Sequence, residues 1–176
     1  MAAQAHRVNR RVVIADAGPL IALARVGSLS LLRDLFGRVC ITRTVLNEIL
    51  PSGNAFPDAA LLSRTLAEGW IDLVDEPADG WKPLNPGIDP GEASAIHVAC
   101  RWRDTGDAVL LVMDDHAGRL EAKSHGIALI GTAAVIGLAR TGGLIPAVRP
   151  LLERLTQAGY FIGSSVIAAI LTDADE

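Results

Sequence analysis

VLLVMDD, at residues 109–115, is the strongest strand pattern in the chain. Its first five residues are all apolar, which is typical of a β-strand that is covered on both faces of a parallel sheet. A helical pattern follows as far as His125, and residues 127–130 (IALI) form the next apolar run. A strand, a helix and a strand in succession indicate two parallel strands joined by a crossover helix.

Three further apolar runs come earlier in the chain, at residues 12–15 (VVIA), 39–41 (VCI) and 70–74 (WIDLV). Longer helical patterns separate them, so we predict an α/β fold with a parallel sheet. Right-handed crossovers place the carboxyl ends of parallel strands at one edge of the sheet, where ligands of open α/β sheets bind.

Short polar signals predict where several helices begin. A helix begins near Pro19, Thr42 is a plausible N-cap for the helix that ends at Leu50, and residues 58–68 form another helix. The sequence DPGE at residues 89–92 is typical of a helix start, with an N-cap, a proline at the first helical position and a glutamate at the third. Gly131 and Thr132 open a run of helices toward the end of the chain.

The composition excludes several classes of protein. The 176 residues carry 20 acidic and 16 basic side chains, so the formal charge of −4 argues against a protein that holds nucleic acid by bulk positive charge. The longest apolar run, residues 166–171, is far shorter than the roughly 20 residues that span a membrane. We expect a cytoplasmic protein that does not contact membranes, with one domain at residues 11–172, a flexible tail at 1–10 and an acidic tail at 173–176.

Five carboxylates are expected near the carboxyl edge of the sheet. Asp16 follows the first strand, Asp114 and Asp115 follow the fourth, and Glu48 and Glu92 lie on helices that flank these strands. No lysine lies at the same strand ends to neutralise them. Carboxylates that meet without basic partners imply a cation, and hard oxygen ligands favour Mg²⁺ or Mn²⁺. This combination points to phosphodiester chemistry, in which a metal-activated water attacks phosphorus.

Four segments carry a resemblance to a known family. They are residues 13–21 (VIADAGPLI), 45–48 (VLNE), 91–96 (GEASAI) and 111–119 (LVMDDHAGR). In this order they resemble the PIN domain, and more narrowly its DUF3368 branch, which is similar to toxin nucleases of the VapC type. The resemblance covers about residues 11–172.

The resemblance implies a three-layer, Rossmann-like PIN fold with five parallel strands flanked by helices, and an endoribonuclease that cleaves single-stranded RNA with Mg²⁺ or Mn²⁺. It also implies a homodimer and, as the partner of a toxin, a small antitoxin protein. Carried over by position, Asp16, Glu48, Glu92, Asp114 and Asp115 form the catalytic set, and all of these except Glu48 are expected to hold the metal.

Two positions depart from the family pattern. Ala17 stands where relatives often carry a hydroxyl residue after the first acid, and Met113 stands where many carry Thr or Ser two residues before the late acid. Both differences remove hydrogen bonds near the metal. They leave open an alternative function, in which the domain has weak or no activity and binds RNA or a protein partner.

Each carboxylate also has a purely structural interpretation. Asp16 could cap the helix near Pro19, and Glu48 could be a solvated helix residue. Glu92 could be only the capping partner of Asp89, because the DPGE pattern accounts for it fully.

The late acids and their neighbours have alternatives too. One of Asp114 and Asp115 could be the N-cap of the next helix. His116, Arg119 and Thr132 are candidate substrate-binding residues. Arg119 could pair with Asp115 or contact an RNA phosphate, His116 could be exposed surface, and Thr132 fits an N-cap better than a ligand.

The last part of the chain is more apolar than one closing helix requires. Apolar residues are frequent throughout residues 133–171. They could belong to the core, or part of this surface could form the dimer or bind an antitoxin segment.

Overall fold

The predicted strands form one parallel sheet in a computed structural model that describes residues 10–50 and 59–176. Its strands are β1 (Arg11–Ala15), β2 (Val39–Thr42), β3 (Ile71–Val74), β4 (Ala108–Val112) and β5 (Ala128–Ile130), and they lie in the order β3-β2-β1-β4-β5. The predicted α/β class, with five parallel strands flanked by helices, is confirmed.

The helices occupy the intervals between the strands and the end of the chain. They are α1 (Ala17–Arg25), α2 (Ser30–Phe36), α3 (Arg43–Ile49), α4 (Ala59–Ala67), α5 (Pro90–Asp104), α6 (His116–Ser124), α7 (Thr132–Thr141), α8 (Arg149–Gln157) and α9 (Ser164–Asp173).

The central strand β1 sets the position of the sheet edge. Its backbone pairs with β4 over its whole length, so that Ile14 lies opposite Leu111 and Ala15 opposite Val112. All four side chains are fully buried, because one hydrophobic cluster covers each face of the sheet. The chain therefore leaves β1 and β4 side by side, and the acids that follow the two strands start from neighbouring positions.

Most predicted helix starts agree with the structure. The Thr42 hydroxyl accepts a hydrogen bond from the Val45 amide at 3.1 Å, and Asp89 caps α5 by accepting the Glu92 amide at 2.8 Å. The first helix begins at Ala17, two residues before Pro19, and Asp16 occupies its N-cap position without a side-chain capping hydrogen bond. Of the predicted helix at 58–68, residue 58 lies outside the described residues.

The two predicted tails are only partly described. Residues 1–9 lie outside the described part of the chain. At the other end, α9 continues to Asp173, and the Glu176 carboxylate accepts hydrogen bonds from the amides of Val148 and Arg149 at 2.7 and 3.0 Å. Across residues 10–50 and 59–176, no helix combines the length and the apolar character that crossing a bilayer requires.

The apolar end of the chain divides into two parts. On α8, Leu151, Leu152 and Leu155 are buried in the core. On α9, by contrast, no residue is buried, although Ile167 and Ile170 pack partly against the core. The core interpretation therefore holds for α8, and α9 presents apolar side chains that the described residues cover only in part.

Candidate metal centre

A cleft of about 770 Å³ opens at the carboxyl edge of the sheet. The five predicted acids all line it, and so do the predicted substrate-binding residues His116 and Arg119. The structure adds a sixth acid, Asp89, to the same lining. The six carboxylates are Asp16, Glu48, Asp89, Glu92, Asp114 and Asp115.

Asp16 is one of two deeply buried acids of the cleft, the other being Glu92. It follows β1 directly and is only 6% exposed. Its Oδ1 atom is buried and has no hydrogen-bond partner among the described residues. Burial raises the pKa of Asp16 to about 7; the charges of Asp89 and Glu48 add to this increase, and the Ala17 amide opposes it. A buried carboxylate oxygen without a partner costs free energy unless a cation or a proton compensates it.

The Glu92 carboxyl group lies close to the N-cap of α5 and also lines the cleft. It is 5% exposed, and burial raises its pKa to about 7. The charges of Asp89, Asp115 and Asp16 raise it further, whereas the Asp89 amide lowers it. The capping and site interpretations of Glu92 are therefore compatible, because its carboxyl group lies close both to the cap and to the other acids.

Glu48 reaches the cleft from α3 and lies against the first turn of α5. A Cβ atom on Gly91 would lie 2.1 Å from Glu48 Oε2, so this carboxylate occupies space that only a glycine leaves free. The Gly91 amide lowers the pKa of Glu48, but burial and the charge of Asp89 outweigh it and raise the pKa overall. Glu48 is half-buried in the cleft and does not extend from the helix into solvent.

Asp114 is held by hydrogen bonds to the start of α7. Its carboxylate accepts the Thr132 amide at 2.9 Å, the Thr132 hydroxyl and the Tyr160 hydroxyl. Burial raises the pKa of Tyr160, and the Asp114 carboxylate raises it further, which keeps the phenol protonated as a donor. Asp114 therefore has three donors of its own and depends less on a cation than Asp16 does.

The N-cap interpretation of Thr132 needs correction. The structure places Gly131 at the N-cap of α7 and Thr132 at its first helical position. Thr132 is fully buried, and its hydroxyl donates to Asp114 beneath the cleft. Its side chain is covered and does not line the cleft, so Thr132 positions the Asp114 carboxylate.

Asp115 is the N-cap of α6, as its structural interpretation predicts. Its Oδ2 accepts the amides of Ala117 and Gly118 at 2.7 and 3.0 Å. It is nevertheless exposed within the cleft lining, and its charge acts on Glu92. His116, the first residue of α6, is also exposed.

Arg119 does not pair with Asp115. Its Nη1 donates to the backbone oxygen of Met113 at 2.7 Å, which fixes the guanidinium at the end of β4. In the two described ranges, Arg119 takes part in no ion pair. It therefore supplies a positive charge to the cleft lining that no carboxylate neutralises directly.

The oxygen donors suit a hard divalent cation, although they do not form a complete cage. Among the described residues, no three His, Cys, Asp or Glu side chains converge as a ready-made metal site. Mg²⁺ typically binds through only one or two carboxylates and completes its shell with water and substrate phosphate. The unpartnered Asp16 Oδ1 and the nearby Glu92 fit that requirement.

Two polar residues of the cleft lining, Asp89 and Tyr160, are not among the site residues that the sequence predicts. The sequence assigned Asp89 to helix capping alone, and the DPGE pattern gives no sign that the same carboxylate faces other acids. Tyr160 lies 46 residues after Asp114, the acid that it contacts. Only a tertiary contact brings them together, and periodicity does not reveal it.

Comparison with known proteins agrees with this architecture. A PilT N-terminus domain protein from the hyperthermophilic archaeon Sulfolobus solfataricus P2 has a similar solved structure, with a TM-score of 0.50 and 18% sequence identity. The match covers 70% of this chain and 89% of that one, and at this identity it supports the fold alone. A search of curated proteins gives no significant match. The DUF3368 profile, described as a PIN domain, matches residues 12–176. The chain therefore belongs to the PIN domain family, whose members are generally nucleases.

Proposed function

We propose that the protein is a divalent-metal-dependent endoribonuclease that cleaves single-stranded RNA at the acidic cleft. The observation that carries the proposal is Asp16: a buried carboxylate, with one oxygen unpartnered, in a cleft lined by five more carboxylates. Such an arrangement is unfavourable by itself and becomes favourable when a cation is bound. The preference for single-stranded RNA rests on the resemblance to VapC-type nucleases.

Each residue has a distinct part in this proposal. Asp16 and Glu92 would hold the cation, with Asp115 beside them. The charge of Glu48 would add to the negative electrostatic potential that attracts the cation. A bound Mg²⁺ or Mn²⁺ would make a water molecule more acidic and offset the charge of the phosphate under attack. Arg119 would contact a phosphate oxygen from the side of the cleft.

The protonation of Asp16 and Glu92 makes cation binding depend on pH. Both carboxyl groups have a pKa of about 7, so in the absence of a cation they are partly protonated near neutral pH. A cation must displace these protons, because metal ligands bind in their deprotonated form. Metal affinity is therefore expected to rise from pH 6 to pH 8.

The toxin role, the antitoxin and the homodimer are finer proposals that the resemblance suggests. The incompletely covered apolar side chains of α9 are compatible with a protein interface. A small reading frame beside the gene that encodes a DNA-binding protein would support a toxin–antitoxin pair. A concentration-independent monomer in sedimentation would count against the homodimer.

The function is tested with purified protein and an end-labelled single-stranded RNA. With Mn²⁺ present we expect discrete cleavage products, no cleavage after addition of EDTA, and recovery when excess Mn²⁺ is restored. Cleavage that continues unchanged in EDTA would contradict the proposal. If Mn²⁺ binds but no RNA is cut, the result would favour the alternative of a binding module without turnover.

A substitution at Gly91 tests the placement of Glu48. Gly91→Ala would put a methyl group at the position of the Glu48 carboxylate and force that side chain to move. We expect little change in stability, because the end of a flexible side chain can shift and alanine favours the helix. We expect RNA cleavage to slow by roughly tenfold, the lower end of the range for disturbing groups around a metal.

The control for Gly91→Ala is Gly137→Ala on α7, where the new methyl group would meet Ile170 and not a site residue. This control should cleave at the wild-type rate. In a Glu48→Ala background, Gly91→Ala should have no further effect, because the two changes act through one side chain. If Gly91→Ala cleaves RNA at the wild-type rate, the position of the Glu48 carboxylate does not affect the reaction.

A further inference from the structure

Phe161 is an exposed aromatic side chain in the lining of the acidic cleft. It is 90% exposed, whereas the other exposed large apolar side chains in the described ranges are between 37% (Leu61) and 71% (Leu84) exposed. The sequence interpretation placed it within an apolar stretch that would join the core or an interface. In the structure it does not pack into the core, and it lines the same cleft as the carboxylates.

The backbone on both sides of Phe161 is held in place. On one side, the Tyr160 amide donates to the Leu155 backbone oxygen at 2.9 Å, and the Tyr160 hydroxyl donates to Asp114. On the other side, the Gly163 backbone oxygen accepts the amides of Val166 and Ile167 at the start of α9. The ring is therefore presented at the cleft by a short segment anchored at both ends.

The charge of the cleft limits how it can bind a polyanion. Six carboxylates line it and repel phosphates, and the basic residues of the lining are Arg119 and His116. A cation at Asp16 would compensate for one phosphate only. Apart from a contact of Arg119 with a second phosphate, additional affinity for a nucleic acid would therefore come from an uncharged interaction. Stacking of a base on an aromatic ring is such an interaction, and it requires an unstacked, single-stranded base.

We propose that Phe161 is the stacking platform for one base of the single-stranded substrate whose scissile phosphate lies at the acidic cleft. This inference rests on the proposed function and adds a substrate-binding residue to it. Tyr160 is a positioning residue, because it joins the platform to Asp114. Every base has an aromatic face, so the contact favours single strands without selecting a sequence.

The test measures the affinity of a short fluorescein-labelled oligoadenylate by fluorescence anisotropy. Ca²⁺, which also takes oxygen ligands, replaces Mn²⁺, and a gel checks that the oligonucleotide stays intact. Phe161→Ala and Phe161→Leu are expected to weaken binding by roughly tenfold, since removing one stacking partner has an effect of this order. Phe161→Trp should bind at least as tightly as the wild type.

Two controls separate stacking from a general apolar contact. Leu84→Ala removes another exposed apolar side chain that does not line the cleft, and it should leave the affinity unchanged. An oligonucleotide series with one abasic position moved along the strand should show one position that weakens binding to the wild type. The same abasic position should have no effect on binding to Phe161→Ala.

Three outcomes would overturn the inference. If the wild type binds the oligonucleotide and Phe161→Ala binds it equally well, stacking on Phe161 is excluded and the proposed function stands. If Phe161→Ala changes only the sedimentation of the protein, the ring belongs to a protein interface. If the wild type binds no single-stranded RNA at all, the proposed function fails together with the inference.

Discussion

The Asp16→Asn variant is expected to cleave RNA at least about 100-fold more slowly than the wild type. Groups that only surround a metal typically contribute 10- to 100-fold, and Asp16 is proposed to bind the cation directly. The substitution keeps the shape of the side chain and removes the charge beside the unpartnered Oδ1. The rate is measured in single-turnover assays with Mn²⁺ and end-labelled single-stranded RNA.

The matched control for this loss is Glu153→Gln. Glu153 is an exposed acid on α8 outside the acidic cleft, so its amide variant should keep the wild-type rate. Circular dichroism of both variants checks that they fold. If Asp16→Asn cleaves as fast as the Glu153 variant, the cleft is not the site of the reaction, and any nuclease activity arises elsewhere or from a contaminant.

The same variant is expected to be more stable than the wild type at alkaline pH when EDTA is present. The pKa of Asp16 rises from 3.8 to about 7 in the folded protein, mainly through burial. The folded state therefore binds more protons than the unfolded state between these values, and stability falls as the pH rises toward 7. Between pH 5 and pH 8 this loss is about 2 to 3 kcal/mol for a shift of this size. Asparagine does not titrate and avoids it.

Urea unfolding at pH 5 and pH 8 measures this difference. The free energy of unfolding of Asp16→Asn, relative to the wild type, should increase between the two pH values, and Glu153→Gln should show no such increase. Mg²⁺ should recover part of the wild-type deficit at pH 8, because a ligand that binds only the folded state stabilises it. If the free energies of unfolding of the wild type and Asp16→Asn differ by the same amount at both pH values, the raised pKa of Asp16 is contradicted.

The fold followed from local patterns in the sequence. Apolar runs such as residues 109–113 and 127–130, separated by helices, have few arrangements other than a parallel sheet with crossovers. That topology also explains why Asp16 and Asp115 share a cleft, since each follows a strand at the same edge. The strand ends could therefore be predicted to form a site without any knowledge of side-chain contacts.

Two features of the site were less accessible from sequence. A carboxylate can cap a helix and face other acids at once, as Asp89 and Asp115 do, so a complete local explanation does not exclude a role in the site. Tyr160 and Phe161 reach the cleft only because the chain returns to it between α8 and α9. Their apolar neighbours suggested a core or an interface, and only the tertiary structure separates the exposed ring from the buried leucines.

Direct measurement of Mn²⁺ binding tests the central claim, that the carboxylates of the cleft hold a divalent cation. Electron paramagnetic resonance reports free Mn²⁺, and the titration is carried out at pH 8 with wild type and Asp16→Asn. We expect the wild type to remove Mn²⁺ from solution stoichiometrically at protein concentrations at which Asp16→Asn leaves the signal of free Mn²⁺ almost unchanged. Equal binding by the two proteins, or none by the wild type, would contradict the account.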